Sequence, residues 1–387
     1  MPFIGNKPTA IPLSADDLED NIISTAKIQD NAVTAAKYIE PIPFRNIIIN
    51  GDMSIAQRGT STASITGSDY HTVDRFKTII TTLGTWTQSQ STDVPTAQGF
   101  SKSLKMDCTT ADASPASGDS LRITTHLEGQ NLQYLKKGTS SAESLTMSFW
   151  VKSNKTGTYI LELYDLDNTR QISKSYTINS ASTWEKKTIT IDGDTTGIFD
   201  NDNGLSLIVG WYLGAGSNFT SGTLNTSWNS ATNANRAVGQ VNLADSTANE
   251  WYITGVQLEA GTTASDFEFL PYDLNLQRCQ RYYEVIAEGT GSPIQNAAVY
   301  ASTSGFAVLT YTEKRSAPSL DQTTGTNYYS ILRDGSAQNF NQFGSIGQVQ
   351  NSRCRIVATI PSSTAGQAGW FVTANDANAY LALDAEL

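Results

Sequence analysis

LTMSFWVKS (residues 145–153) and TGTYILELYD (156–165) decide the fold class. Both runs are short, rich in Val, Ile, Thr, Tyr, Phe and Trp, and closed by Gly, Asn, Asp or Ser, as half-buried strands are. The pattern recurs in KKTITIDG (186–193), LSLIVGWYLG (205–214) and EWYITGVQLEAG (250–261). Ile47-Ile48-Ile49 running into Asn50-Gly51-Asp52 predicts a further strand and tight turn. No stretch between these runs has the period of a long amphipathic helix. The expectation is an all-β chain built on an antiparallel β-sandwich, a jelly roll. The Ser/Thr/Asn-rich segment 215–236 reads as a surface loop, of a length that is uncommon unless functional.

Composition agrees. Charged residues make up 16% of the 387, against about 25% in an ordinary soluble domain. Ser, Thr, Asn, Gln and Gly fill the difference, which suits a neutral-polar β surface and not a helical bundle. There are 37 acidic and 26 basic residues, a net charge of −11. With no run of Lys and Arg, nucleic acid is excluded as a partner. Two histidines, His71 and His126, and three widely spaced cysteines, Cys108, Cys279 and Cys354, make no metal-ligand set and no disulfide framework. Neither metal nor cofactor is expected, and the thiols read as reduced and buried. The opening MPFIGNKPTAIPLS lacks a basic stretch followed by an apolar one, so no signal peptide is expected. The longest apolar stretch, Leu205 to Leu213, is far short of a bilayer span, so no membrane insertion is expected.

Three parts are expected. Residues 1–43 hold a decapeptide repeat, NIISTAKIQD from Asn21 and NAVTAAKYIE from Asn31. Two or three apolar residues in ten cannot make a monomeric core. Ile22, Ile23, Ile28, Val33 and Tyr38 are therefore expected to bury against other chains. Residues 44–272 form the sandwich. A boundary near Pro271-Tyr272 opens a smaller C-terminal β domain, 273–387, beginning with a short helix or turn in LNLQRCQRYYEVIAEG and continuing in short strands such as GFAVLTYTEKR, CRIVATIP and GWFVTAN.

Several stretches resemble a known family. NIIINGDM (46–53), AQRGT (56–60) and YHTVDRF (70–76) are similar to the opening of a β-sandwich domain common in bacteriophage tail fibre proteins. VQLEAG (256–261) followed by Phe267 to Tyr272 resembles its close. CQRYYE (279–284) and KRSAP (314–318) resemble the C-terminal module that follows, and ISTAKIQDNAVTAAK resembles repeats that open such fibres. The resemblance implies a homotrimeric, elongated virion protein, assembled in the host cytoplasm into the tail. Its N-terminus would dock on other virion proteins, and its β domains would bind host cell-surface polysaccharide. It supplies no catalytic residues. The leading expectation is a non-enzymatic fibre. A structural adaptor or head fibre without a ligand, and a polysaccharide depolymerase, are the alternatives.

Asp165 with Asp167, Asp192 with Asp194, and Asp200 with Asp202 are spaced so that strand partners share a face. All lie at strand ends, where Asp serves turns, and no Gly-x-Ser-x-Gly accompanies them. Asp200-Asn201-Asp202-Asn203-Gly204 begins like a calcium loop, but its Gly stands at position five and position twelve is Trp211. An Asx-rich turn is the plainer reading. Arg58 and Arg75, with Gln57 and Asp74, read as a buried Arg–Asp pair fixing a strand junction more readily than as a ligand contact. Trp150, Trp211 and Trp251 sit in apolar runs and are expected in the core. Trp228 and Trp86 lie among polar residues. With Asn225 and Asn229 they are the candidate glycan contacts, aromatic faces for sugar rings and amides for hydroxyls.

Overall fold

The computed structural model describes residues 44–374 and 376–387. The repeat segment 1–43, with Ile22, Ile23, Ile28, Val33 and Tyr38, lies outside the described residues. Residues 44–387 form one compact unit, and every strand pair in it is antiparallel. The all-β expectation holds.

Two sheets make the jelly-roll sandwich. One has six strands in the order Ser61–Ile65, Thr85–Ser91, Ser103–Thr110, Glu250–Ala260, Leu145–Ser153 and Glu185–Ile191. The other has seven, Asn229–Ser230, Arg170–Ile178, Gly157–Asp165, Leu205–Ala215, Ser120–Glu128, Lys77–Thr81 and Asp69–Tyr70. Period-two alternation sends Leu145, Met147, Phe149 and Val151 from the first sheet, and Leu207, Val209, Trp211 and Leu213 from the second, into one core. Phe149 and Trp211 meet edge to face across it at 5.9 Å.

A second core lies between a three-stranded sheet, Tyr283–Glu288, Tyr380–Asp384 and Ser319–Gln322, and a seven-stranded sheet centred on Pro293–Ala301. Helix Tyr272–Gln280 leads into it, where a short helix or turn is expected. No helix among the described residues is long and apolar enough to cross a membrane.

One expectation is corrected. Ile47-Ile48-Ile49 is not a strand. Asn46 and Asn50 divert it, because amide side chains can replace ladder partners. Asn46 Oδ1 accepts from the Ile48 and Leu258 amides, and Asn50 Nδ2 donates to the carbonyls of Ile55 and Asp74. Gly51 packs so closely that a Cβ there would stand 2.0 Å from the Val256 carbonyl oxygen. The segment 215–236 is a surface loop as expected, but an anchored one. Phe219 and Leu224 pack against Ile160 and Tyr212 on the outer face of the seven-stranded sandwich sheet. Arg236 pins it by a bidentate pair to the buried Glu162 at 2.6 and 2.8 Å.

Candidate functional site

The short motifs noted in the sequence meet where the sandwich faces the C-terminal sheets. Arg75, 1% exposed, forms an ion pair with Glu386, donates to the His126 carbonyl at 2.6 Å and lies 3.4 Å from the Tyr282 ring centroid. Arg281 holds Glu128 through two 2.8 Å bonds, and Tyr282 donates its hydroxyl to the same carboxylate. Lys314, fully buried, is matched by Glu284. The expected Arg–Asp pair is corrected. Gln57 occupies both Asp74 oxygens, through its backbone and its side-chain amide. The arginines instead take Asp384 and Glu386, more than 300 positions away, a pairing that local spacing could not reveal.

Beside this junction is a cleft of about 920 Å³. Its floor is the outward face of the three-stranded sheet. Alternation turns Leu320, Leu381 and Leu383 into the C-terminal core and leaves Tyr283, Ser319, Asp321, Tyr380 and Asp384 on the other side. In register Ser319 faces Asp384 and Asp384 faces Tyr283, so these side chains are cross-strand neighbours. Both phenols donate to one carboxylate, Tyr283 to Asp321 Oδ2 at 2.8 Å and Tyr380 to Oδ1 at 2.5 Å. The opposite wall comes from the sandwich: Gln57, Arg58, Gly59, Asp69, Tyr70 and His71. Arg58 lies 3.4 Å from the centroid of Tyr283 and 5.3 Å from that of Tyr70, and pairs with Asp384 at 3.2 Å.

Burial and then the Asp321 charge push both phenols, Tyr283 and Tyr380, well above the ordinary tyrosine range, so they stay protonated donors. Burial lowers the His71 pKa and keeps the imidazole neutral; its buried Nε2 has no partner. Burial opposes the Arg58 charge, but Glu386, Asp74, Tyr283 and Asp384 outweigh it and hold its pKa above the usual value. The cleft thus offers fixed carboxylate acceptors, phenol rings and a guanidinium already in use. Asp321 and Asp384 are each tied to permanent partners, which suits holding hydroxyl groups better than shuttling protons. Among the described residues no group of three or more His, Cys, Asp or Glu is placed to hold a metal ion.

The four candidate glycan contacts lie elsewhere. Trp86 is corrected outright: it is 0% exposed in the sandwich core, with its indole N–H on the Leu83 carbonyl at 2.7 Å. Its strand, TWTQSQS, turns alternate positions inward, so polar sequence neighbours say nothing of its own face. Trp228 is half-buried against the same core, donates to the Asp192 carbonyl at 2.9 Å and has the Lys137 ammonium 5.4 Å from its ring. Asn225 is bonded to Asn235, and Asn229, exposed, bonds back to Ser227. Trp211 and Trp251 are core residues as expected, whereas Trp150 is half-buried on the outer side of its sheet. Asp165 and Asp194 share the buried Lys137 at 2.5 and 3.1 Å. In the calcium-like loop, Asp202 Oδ1 accepts the Gly204 amide at 2.7 Å, an Asx turn before the strand Leu205–Ala215.

Asp321, Tyr380 and Asp384 were missed. YLALD (380–384) carried a signal, its Leu residues alternating with Tyr, Ala and Asp, but five residues at the end of the chain did not stand out as a strand.

No family model matches the chain, and no curated protein matches it. Among solved structures it is similar to the enzymatically active domain of tailspike protein 4 of bacteriophage CBA120, at 16% identity over 57% of this chain, with a TM-score of 0.29. The match spans 22% of that chain, about a fifth of its length. It is also similar to the xylan-binding domain CBM22-1 of Paenibacillus barcinonensis Xyn10C, at 10% identity, a TM-score of 0.26, and coverage of 57% of this chain and 96% of that one. A family 11 carbohydrate-binding module of a Clostridium thermocellum cellulosomal cellulase matches at 12% identity with a TM-score of 0.24, over 56% of this chain and 96% of that one.

Proposed function

We propose that the protein binds a glycan without cleaving it, and that the junction cleft is the binding site. The observation that carries this is the Tyr283–Asp321–Tyr380 arrangement with Asp384 beside it. A carboxylate held rigid by two phenols is a preorganised acceptor for sugar hydroxyls, and the half-buried Tyr380 ring supplies an apolar face for the C–H side of a pyranose, while Tyr283 is buried under Arg58. Hydrogen bonds to a charged group contribute about 1.5–3 kcal/mol each. Asp321→Ala should therefore weaken glycan binding by roughly 10- to 100-fold. Because it leaves the buried Tyr283 hydroxyl without its acceptor it should also lower the melting temperature, so binding is measured where the variant is fully folded. The check is titration of the full chain with a panel of defined oligosaccharides. Wild-type affinity in Asp321→Ala, or no binding to any glycan, would refute the reading.

The tail-fibre-like motifs support a finer reading: a homotrimeric virion fibre that docks through residues 1–43 and adsorbs to host polysaccharide. Deleting residues 1–43 is then expected to leave 44–387 folded and able to bind glycan, but to abolish docking on virions and trimer formation. Circular dichroism, mass measurement and particle incorporation test this. Incorporation of the shortened chain would overturn it.

A further inference from the structure

Next to the junction cleft is a second cavity of about 630 Å³, lined by Tyr272, Leu276, Gln280, Ile286, Ser292 and Pro293 among others. The two share Gln57, Gly59, Val285 and Glu288, so they are consecutive stretches of one groove along the strand Tyr283–Glu288. We propose that this groove takes a glycan chain along its length, over several sugar units, and that the chain carries no acidic groups. The inference rests on the glycan-binding reading above and adds to it the mode of binding and the class of glycan.

Size is the first argument. A pocket for one small ligand occupies roughly 300–1,000 Å³. The first cavity alone reaches the top of that range and the second adds a further ligand-sized space. A terminal sugar would leave most of the groove wet.

The wall of the second stretch is the next argument. Tyr272 opens the helix Tyr272–Gln280 with its side chain 63% exposed, and Leu276, four residues on, lies on the same helix face. With Val285 and Pro293 they form an apolar strip, while Gln57, Gln280 and Ser292 supply polar groups. An exposed ring beside an apolar strip and neutral hydrogen-bonding groups matches the two faces of a sugar unit. Each stretch of the groove thus has its own tyrosine.

Charge selects the class. The carboxylates of Asp69, Glu288, Asp321 and Asp384 line the groove, and among the described residues that line it the one cation is Arg58, already engaged by Asp384 and Glu386. Glu288, common to both stretches, is exposed and has no side-chain partner among the described residues. A uronate or sialate entering here meets like charge with no free guanidinium to pair with it, whereas carboxylate recognition ordinarily uses Arg forks. Hydroxyl and acetamido groups meet acceptors instead.

The test is titration of the full-length chain with gluco-, xylo-, manno-, galacto- and N-acetylglucosamine oligosaccharides of one to six units, and with polygalacturonate and hyaluronan, at low and high salt. For the neutral sugar that binds, affinity should rise at least tenfold from the disaccharide to the hexasaccharide. Tyr272→Ala should remove most of that gain and leave the disaccharide unchanged. Neither acidic polymer should bind. Equal affinity for disaccharide and hexasaccharide, an unaffected hexasaccharide in Tyr272→Ala, or salt-sensitive binding of an acidic polymer would each overturn the inference while the glycan-binding reading stands. Absence of binding to every glycan would instead remove that reading, and this inference with it.

Discussion

Glu386→Gln should destabilise the chain by about 3–5 kcal/mol, the usual result of leaving one member of a buried ion pair without its partner. Arg75 would keep its charge at 1% exposure with only the His126 carbonyl, 2.6 Å away, and the face of Tyr282 to receive it. Its Nε already lacks a partner. Arg58 would lose its contact with Glu386 but keep Asp384 at 3.2 Å, so the damage centres on Arg75. The Arg75→Met, Glu386→Leu double variant removes both charges and retains apolar volume. It should recover more than half of the loss, because desolvation offsets much of what a buried pair contributes. Denaturant unfolding of the wild type, Arg75→Met, Glu386→Leu and the double variant forms a double-mutant cycle, with Glu386→Gln measured beside it. A Glu386→Gln protein within about 1 kcal/mol of wild type, or a double variant no better than the single, would show that the junction does not depend on this pair.

That pair also marks the limit of what the chain's letters disclosed. LTMSFWVKS, TGTYILELYD and EWYITGVQLEAG announced their strands because period-two alternation with aromatic and β-branched residues is a local property. STASI and TWTQSQS did not, since their buried positions carry few apolar residues and lean on sheet partners distant in sequence. Asn46 and Asn50 turned a strand-like Ile triplet into irregular backbone through bonds to residues 258, 55 and 74. The site divided the same way. Gln57, Arg58, Asp74, Arg75, Tyr282 and Tyr283 drew notice as motif residues, yet their partners depend on the last strand folding back onto the sandwich. Trp86 misled because exposure is decided by the face of a strand, and the polarity of sequence neighbours alternates independently of it. Asp321 and Tyr380 stand 59 positions apart and make a site only through the register of two short strands.

The second large effect expected is an acid-dependent destabilisation contributed by His126, largely unmasked when Asp74 is removed. Its imidazole, 5% exposed, lies with Nδ1 2.8 Å from the Leu387 backbone oxygen and Nε2 3.2 Å from Thr124 Oγ1. The Tyr70 hydroxyl is 3.4 Å from Nδ1. Burial, with the nearby charges of Lys77, Arg75 and Arg122, outweighs the bond to Leu387 and lowers its pKa to about 3. An unfolded histidine titrates near 6.5. Between those values the unfolded chain binds more protons than the folded one, so stability rises with pH there. His126 makes its full contribution above about pH 6.5, and loses it progressively toward pH 3, up to on the order of 5 kcal/mol. Asp74 opposes this over part of the window. Burial raises its carboxyl to about 6, so from roughly pH 4 to 6 the folded state binds the extra proton and acidification favours folding. The span for Asp74 is shorter than that for His126, and the net direction remains a loss. Glu128 and Asp194, lowered despite burial chiefly by bonds to Arg281 and Arg170, and Glu185, lowered to about 2 chiefly by Lys187, add their losses only at the acidic end. Unfolding midpoints measured from pH 7.5 to 4.5 should fall only slightly for the wild type, where the two groups nearly offset, rise relative to it for His126→Gln and fall steeply for Asp74→Asn. Slopes are compared, so a constant offset in a variant's stability does not obscure the result. Parallel curves for wild type and His126→Gln would show that this buried imidazole does not set the acid limit of the fold.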